Sequence, residues 1–175
     1  MSGVVSEYPL PHADSGPRAI TAGPDGALWF TETRADRIVR MTTTGTVTEF
    51  ATPTAASGPV DITRGPDGAL WFTEQGGNRI GRITPEGAIT EFPLSIAESE
   101  PIGITVGPDG ALWFAEGAPN ARTGRRIGRI TLGSAITEFT LPNLNGIPID
   151  VAAGPDGRLW FTDKGANAIG RLLPP

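Results

Sequence analysis

The tetrapeptide Gly-Pro-Asp-Gly occurs four times, starting at Gly23, Gly65, Gly107 and Gly154, at spacings of 42, 42 and 47 residues. An apolar run follows each copy: Leu28-Trp29-Phe30, Leu70-Trp71-Phe72, Leu112-Trp113-Phe114 and Leu159-Trp160-Phe161. Every tryptophan of the chain sits in this one position. An acid ends each run (Glu32, Glu74, Glu116, Asp163), and an Ile-x-Arg segment comes next (Ile38–Arg40, Ile80–Arg82, Ile127–Arg129, Ile169–Arg171). A period in the low forties built from short strands predicts propeller blades.

Each unit reads as four antiparallel strands, a to d. Strand a is Ile-Thr-x-Gly, as in Ile62–Gly65. The Pro-Asp-Gly turn follows: Pro presets φ, Asp bonds the local backbone and Gly takes the left-handed position. Strand b spans residues 69–74, strand c 79–84 and strand d 88–94. Strand b is apolar on both pleat faces, as expected where blades stack and bury both sides. Recurrent arginines of strand c (Arg40, Arg82, Arg129, Arg171) are expected to pair across the sheet with strand-d glutamates (Glu49, Glu91, Glu138, Glu7). The tryptophans are expected to be core between blades.

The ends carry the most information. Val5-Ser6-Glu7-Tyr8-Pro9-Leu10 matches Ile89-Thr90-Glu91-Phe92-Pro93-Leu94, so it is a strand d placed at the N-terminus. The chain stops just after the fourth strand c. The expected organisation is all-β: one repeat array over 1–175, with blades at about 17–52, 59–94, 101–141 and 148–173. Residues 4–10 supply the last strand of a split blade, because a closed architecture removes sheet edges.

Composition excludes several classes. The 24 Gly and 17 Pro among 175 residues would suggest disorder were they not periodic. Net charge is −5, which argues against a nucleic-acid surface. There is no cysteine and one histidine, His12, so thiolate sites and histidine clusters within one chain are out. No apolar stretch approaches membrane-spanning length and the first residues do not form a signal peptide, so the expected location is cytoplasmic.

Three groups are candidate sites. Glu32, Glu74, Glu116 and Asp163 would form an acidic ring that recruits a cation with oxygen ligands. The competing expectation pairs each acid with Arg34, Arg37, Arg79 or Arg126. Arg18, Asp61 and Asp150, near the starts of strand a, would line the channel mouth and bind a polar ligand. The insertion at 117–126 breaks the repeat and carries Arg122, Arg125 and Arg126, which could hold an anionic group of a small molecule or partner protein.

The stretch from Gly65 to Leu94 resembles the virginiamycin B lyase, or streptogramin lyase, family, and the resemblance covers the whole chain. It implies a seven-bladed propeller. It also implies ring opening of streptogramin B antibiotics by elimination at an ester linkage, with Mg²⁺, acidic ligands and a catalytic histidine. No cofactor follows from the residues themselves. The family's histidines follow the proline before strand a; here those positions are Arg18, Val60, Ile102 and Ile149. Glu100 matches the glutamate of the family's Glu-Pro-His motif without its histidine. No catalytic residue is therefore assigned, and Arg18 is the chosen anion contact.

Four blades close in one of two ways. A ring needs about 90° per blade for four, about 51° for seven and about 45° for eight. Blades shaped for seven adjust least to eight. The expected assembly is an eight-bladed homodimer that exchanges N-terminal strands, with a closed four-bladed monomer as the alternative. The functional expectation is a binding or structural scaffold without lyase activity, or a propeller fragment or engineered assembly built from such blades. The alternatives are a Mg-dependent lyase using carboxylates such as Glu100 and Glu116, and a protein-interaction platform.

Overall fold

A computed structural model of the protein describes residues 3–117 and 125–175. The described residues are all-β and form a β-propeller array of four antiparallel blades. Blade 1 contains β1 (Pro17–Ala22), β2 (Leu28–Glu32), β3 (Arg37–Met41) and β4 (Val47–Ala51). Blade 2 contains β5 (Pro59–Arg64), β6 (Leu70–Glu74), β7 (Arg79–Ile83) and β8 (Ile89–Pro93). Blade 3 contains β9 (Pro101–Val106), β10 (Leu112–Glu116), β11 (Arg126–Ile130) and β12 (Ile136–Thr140). Blade 4 has β13 (Pro148–Ala153), β14 (Leu159–Asp163) and β15 (Ala168–Leu172).

The repeated turn does more than reverse the chain. Asp67 Oδ1 accepts from the Ala69 amide at 3.3 Å and from the Trp71 indole N–H at 3.1 Å, while its Oδ2 accepts from Arg82 at 2.7 Å. Asp25 and Asp109 do the same for Trp29 with Arg40 and for Trp113 with Arg129. One carboxylate thus ties the turn, strand b and strand c together. These contacts hold all three carboxyls below the usual range, against the opposing effect of burial.

This arrangement corrects the expected arginine–glutamate pairing. Glu49 lies opposite Val39, one position from Arg40, so the two side chains leave opposite faces of the sheet. Arg40 therefore turns to Asp25, and Glu49 meets Arg37 at 3.3 Å, two residues from Val39 and on the same face. Glu91 likewise sits near Arg79 rather than Arg82.

Blades stack through a repeated interface. Trp29 and Ile38 of blade 1 pack on Ile62, Leu70, Phe72 and Ile83 of blade 2. Trp71 and Ile80 meet Ile104, Leu112, Phe114 and Ile130 in the same way, and Trp113 and Ile127 meet Val151, Leu159 and Phe161. Within each of the first three blades the tryptophan is stacked on the strand-d phenylalanine at 5.5–5.7 Å between centroids. Hydroxyls cross the same seams: Thr31 donates to the Val60 carbonyl at 3.0 Å and Thr73 to the Ile102 carbonyl at 2.6 Å.

The split blade is not closed within this one chain. Residues 3–10 form no strand, and β13–β15 is a three-stranded sheet. The inner strands pack in succession, β1 on β5, β5 on β9 and β9 on β13. Among the described residues no comparable packing returns from β13 to β1. Among the described residues β15 pairs with β14 alone.

Candidate functional site

Strand a of every blade carries a bulge just after its first proline. The register with strand b breaks between Pro17 and Ile20, between Pro59 and Ile62, and between Pro148 and Val151, with the matching break in blade 3. A bulge re-aims side chains and is common beside binding sites. The re-aimed residues from the four inner strands meet in one cleft of about 230 Å³, lined by Arg18, Ala19, Val60, Asp61, Ile102, Gly103, Ile149 and Asp150. The structure therefore brings the sequence candidates Arg18, Asp61 and Asp150 together.

Their electrostatics are coupled. Asp61 accepts from its neighbour's amide at Ile62 and from the Ile104 amide of the next blade, both at 2.8 Å. Burial nevertheless raises its carboxyl above the ordinary value; Asp150 adds to the rise and Arg18 opposes it. Asp150 is exposed and accepts from the Val151 amide at 2.9 Å. Gly103 makes room for it: a Cβ there would lie 2.5 Å from Asp150 Oδ1. The cleft thus offers one cation, two carboxylates and an apolar wall of Val60, Ile102 and Ile149.

The acidic ring expected at the ends of strand b is not formed. Glu32, Glu74 and Glu116 are fully buried and Asp163 nearly so, each inside its own blade. Strand a, not strand b, faces the axis, so these acids point into the sheet stack. Ser15 donates to Glu32 at 2.9 Å, and Asp163 accepts from the Ile147 and Ala166 amides. Two of the expected arginine partners are redirected, Arg34 to Asp14 and Arg37 to Glu49, whereas Arg79 and Arg126 lie across the sheet from Glu74 and Glu116 and their charges oppose the rise of those carboxyls. Glu74 and Glu116 find no donor in good geometry at either oxygen. Burial, aided by the nearby Glu91, pushes Glu74 up to about 8. Burial aided by Glu138 pushes Glu116 up to about 7.

The remaining candidates lie elsewhere. Glu100 has positive φ and accepts from the Gln75 side chain at 3.2 Å, in a separate hollow with Asn78 and Glu98. Arg122 lies outside the described residues. Arg126 opens β11 opposite Glu116, the Arg125 carbonyl accepts from the Leu141 amide, and neither residue is among those lining the central cleft. His12 contacts Glu49 at 3.1 Å on strand d, the outermost strand. Sequence reasoning missed the aspartate–tryptophan–arginine network. Its signal was the fixed four-residue separation of Asp25 from Trp29, repeated in every unit.

The family resemblance implies Mg²⁺, and the residues present do not fit it. Among the described residues no three acids or histidines gather to hold a metal ion. Both carboxylate oxygens of Asp61 and one of Asp150 are already committed to backbone amides.

Comparison with known proteins accounts for the repeat. A selenomethionine-substituted virginiamycin B lyase from Staphylococcus aureus superposes with a TM-score of 0.93 at 49% identity, over 98% of this chain and 57% of that one. A catalytically inactive histidine-to-alanine form of the S. aureus enzyme, solved with quinupristin, gives 0.92 at 50% identity over 97% and 56%. A virginiamycin B lyase of Saccharopolyspora erythraea is 52% identical over 41 residues, which is 23% of this chain and 14% of that protein. The chain spans little more than half the length of these solved relatives. The Virginiamycin B lyase family model matches residues 1–174, and the chain belongs to that family.

Proposed function

We propose that this four-blade array is a binding scaffold that takes a small polar ligand in its central cleft and performs no elimination there. Arg18 meets an anionic or carbonyl oxygen, Asp150 meets a donor, and Val60, Ile102 and Ile149 cover the apolar part. One observation carries the reading. The four positions that follow the strand-a proline converge on the cleft and hold Arg18, Val60, Ile102 and Ile149, none of which is a general base at neutral pH. The one histidine, His12, is engaged by Glu49 on an outer strand.

Family membership favours a second reading, in which the chain opens streptogramin B-type cyclic depsipeptides. Incubating the protein with quinupristin and Mg²⁺ and following the ring-opened product by chromatography separates the two. The scaffold reading expects no product above a buffer control. Turnover that is lost with Glu100→Gln or Glu116→Gln would overturn it.

A further inference from the structure

The loops that join one blade to the next are held alike at the first two junctions and differently at the third. Asp36, just before β3, accepts from the Ala56 and Gly58 amides, both at 2.9 Å. Asn78, just before β7, accepts from the Ser99 amide at 2.8 Å and donates to the Ile96 carbonyl at 2.7 Å. Arg125 holds the same slot before β11. Its carbonyl accepts from the Leu141 amide as the carbonyls of Asp36 and Asn78 accept from Thr52 and Leu94. An arginine side chain only donates, so it cannot take the loop amides that Asp36 and Asn78 take. The third loop holds itself instead. Asn143 Oδ1 accepts from the Asn145 amide at 2.9 Å, and the Asn143 carbonyl accepts from the Gly146 amide at 3.1 Å. Among the described residues no hydrogen bond from outside this loop reaches Asn145 or Gly146.

The residues change at the same place. The first two loops carry Ala56-Ser57 and Glu98-Ser99, with both serines buried. The third carries Asn145-Gly146, the one Asn-Gly step in the sequence. Asn145 is exposed. Gly146 has no Cβ to keep the preceding side chain away from its amide nitrogen.

We propose that Asn145-Gly146 is a spontaneous deamidation site whose isoaspartyl product unlatches the junction between blades 3 and 4. The Gly146 nitrogen attacks Asn145 Cγ and a new C–N bond closes a five-membered succinimide. The bond from Cγ to the side-chain nitrogen breaks, and that nitrogen leaves as ammonia with the Gly146 amide proton. Water then opens the ring. Attack at Cγ gives aspartate, and attack at the main-chain carbonyl carbon gives isoaspartate, in which the chain runs through Cγ and is one methylene longer. The added length falls where the junction is tightest. The Ile147 amide donates to Asp163 Oδ1 at 2.8 Å, and the Lys164 amide donates to the Ile147 carbonyl at 3.0 Å. The Asn145 carbonyl lies so close over Gly165 that a Cβ there would stand 1.8 Å from it. Moving the 145 carbonyl and lengthening the chain before Ile147 draws the Ile147 amide off Asp163, which is nearly buried.

The whole chain is aged at mildly alkaline pH and body temperature, labelled with isoaspartyl methyltransferase and mapped by peptide mass spectrometry. Melting temperature is read on the same samples. The peptide holding Asn145 is expected to take the label, with a melting temperature lower by a few degrees in the labelled fraction. Asn145→Ala, which places there the residue of the first loop, should take no label at this peptide and should melt alike before and after ageing. Freshly made Asn145→Asp carries the new charge without the longer chain and should melt with the unaged protein. Absence of label at Asn145, or label spread equally over Asn143, Asn145 and Asn167, would overturn the site. Label without a fall in melting temperature, or an Asn145→Asp variant that melts with the aged protein, would overturn the unlatching.

Discussion

The sharpest consequence of blade stacking concerns Glu74. Its carboxyl is fully buried, no donor meets either oxygen in good geometry, and Glu91 stands beside it. Burial is the main cause of its rise from 4.5 to about 8, with the Glu91 charge second; Ser57 and Arg79 offset part of it. Between those pH values the folded state holds a proton that the unfolded chain has released. The contribution of Glu74 to stability is thus complete below about pH 4.5 and is lost as pH rises through 8. The whole displacement corresponds to about 5 kcal/mol, at about 1.4 kcal/mol per pH decade. Glu74→Gln keeps the shape, cannot ionise and can still donate to Glu91. Urea unfolding of parent and variant at pH 4.5 and pH 8.5 reads the difference. The gap should move in the variant's favour by up to ~5 kcal/mol, or ~2 M in midpoint for a slope of ~2 kcal/mol/M. A variant destabilised by the same amount at both pH values would refute the reasoning.

Other expectations follow from the same contacts. Ile80→Ala empties a fully buried position between blades 2 and 3 and should cost ~2–5 kcal/mol in chemical unfolding. Asp67→Asn weakens the bonds to Trp71 and Arg82 and should cost ~1–3 kcal/mol near neutral pH. The folded Asp67 carboxyl lies below 3.8, so its stabilisation is present above that value and lost as pH falls further. The penalty of the asparagine variant, read by thermal melts, should therefore shrink at pH 3. Arg18→Ala should weaken any anion held in the central cleft by tenfold or more, in calorimetric titration, while leaving the melting temperature within a few degrees.

The blades were legible because their information is local and repeated. Gly-Pro-Asp-Gly fixes the turn, the apolar run after it fixes strand b, and the Trp29, Trp71 and Trp113 series marks the stacking face. The cleft was legible in part: Arg18, Asp61 and Asp150 share a slot beside the strand-a proline, and the bulge there turns the slot toward the axis. Two features were not. Assigning Arg40 to Glu49 required the register to one residue, and a one-residue difference changes the face. The inward burial of Glu32, Glu74 and Glu116 depends on which strand faces the axis, and no single repeat states that. The N-terminal segment was recognised from its match to residues 89–94, but a match in sequence does not supply a pairing partner, and residues 3–10 form no strand.

Hydrogen exchange in the middle of the array tests the account most directly. Blade stacking predicts that the amides of β6 (Leu70–Glu74) and β10 (Leu112–Glu116) are protected together and to a similar degree, independent of concentration. Amides in β10 that exchange freely while those of β6 stay protected would contradict it.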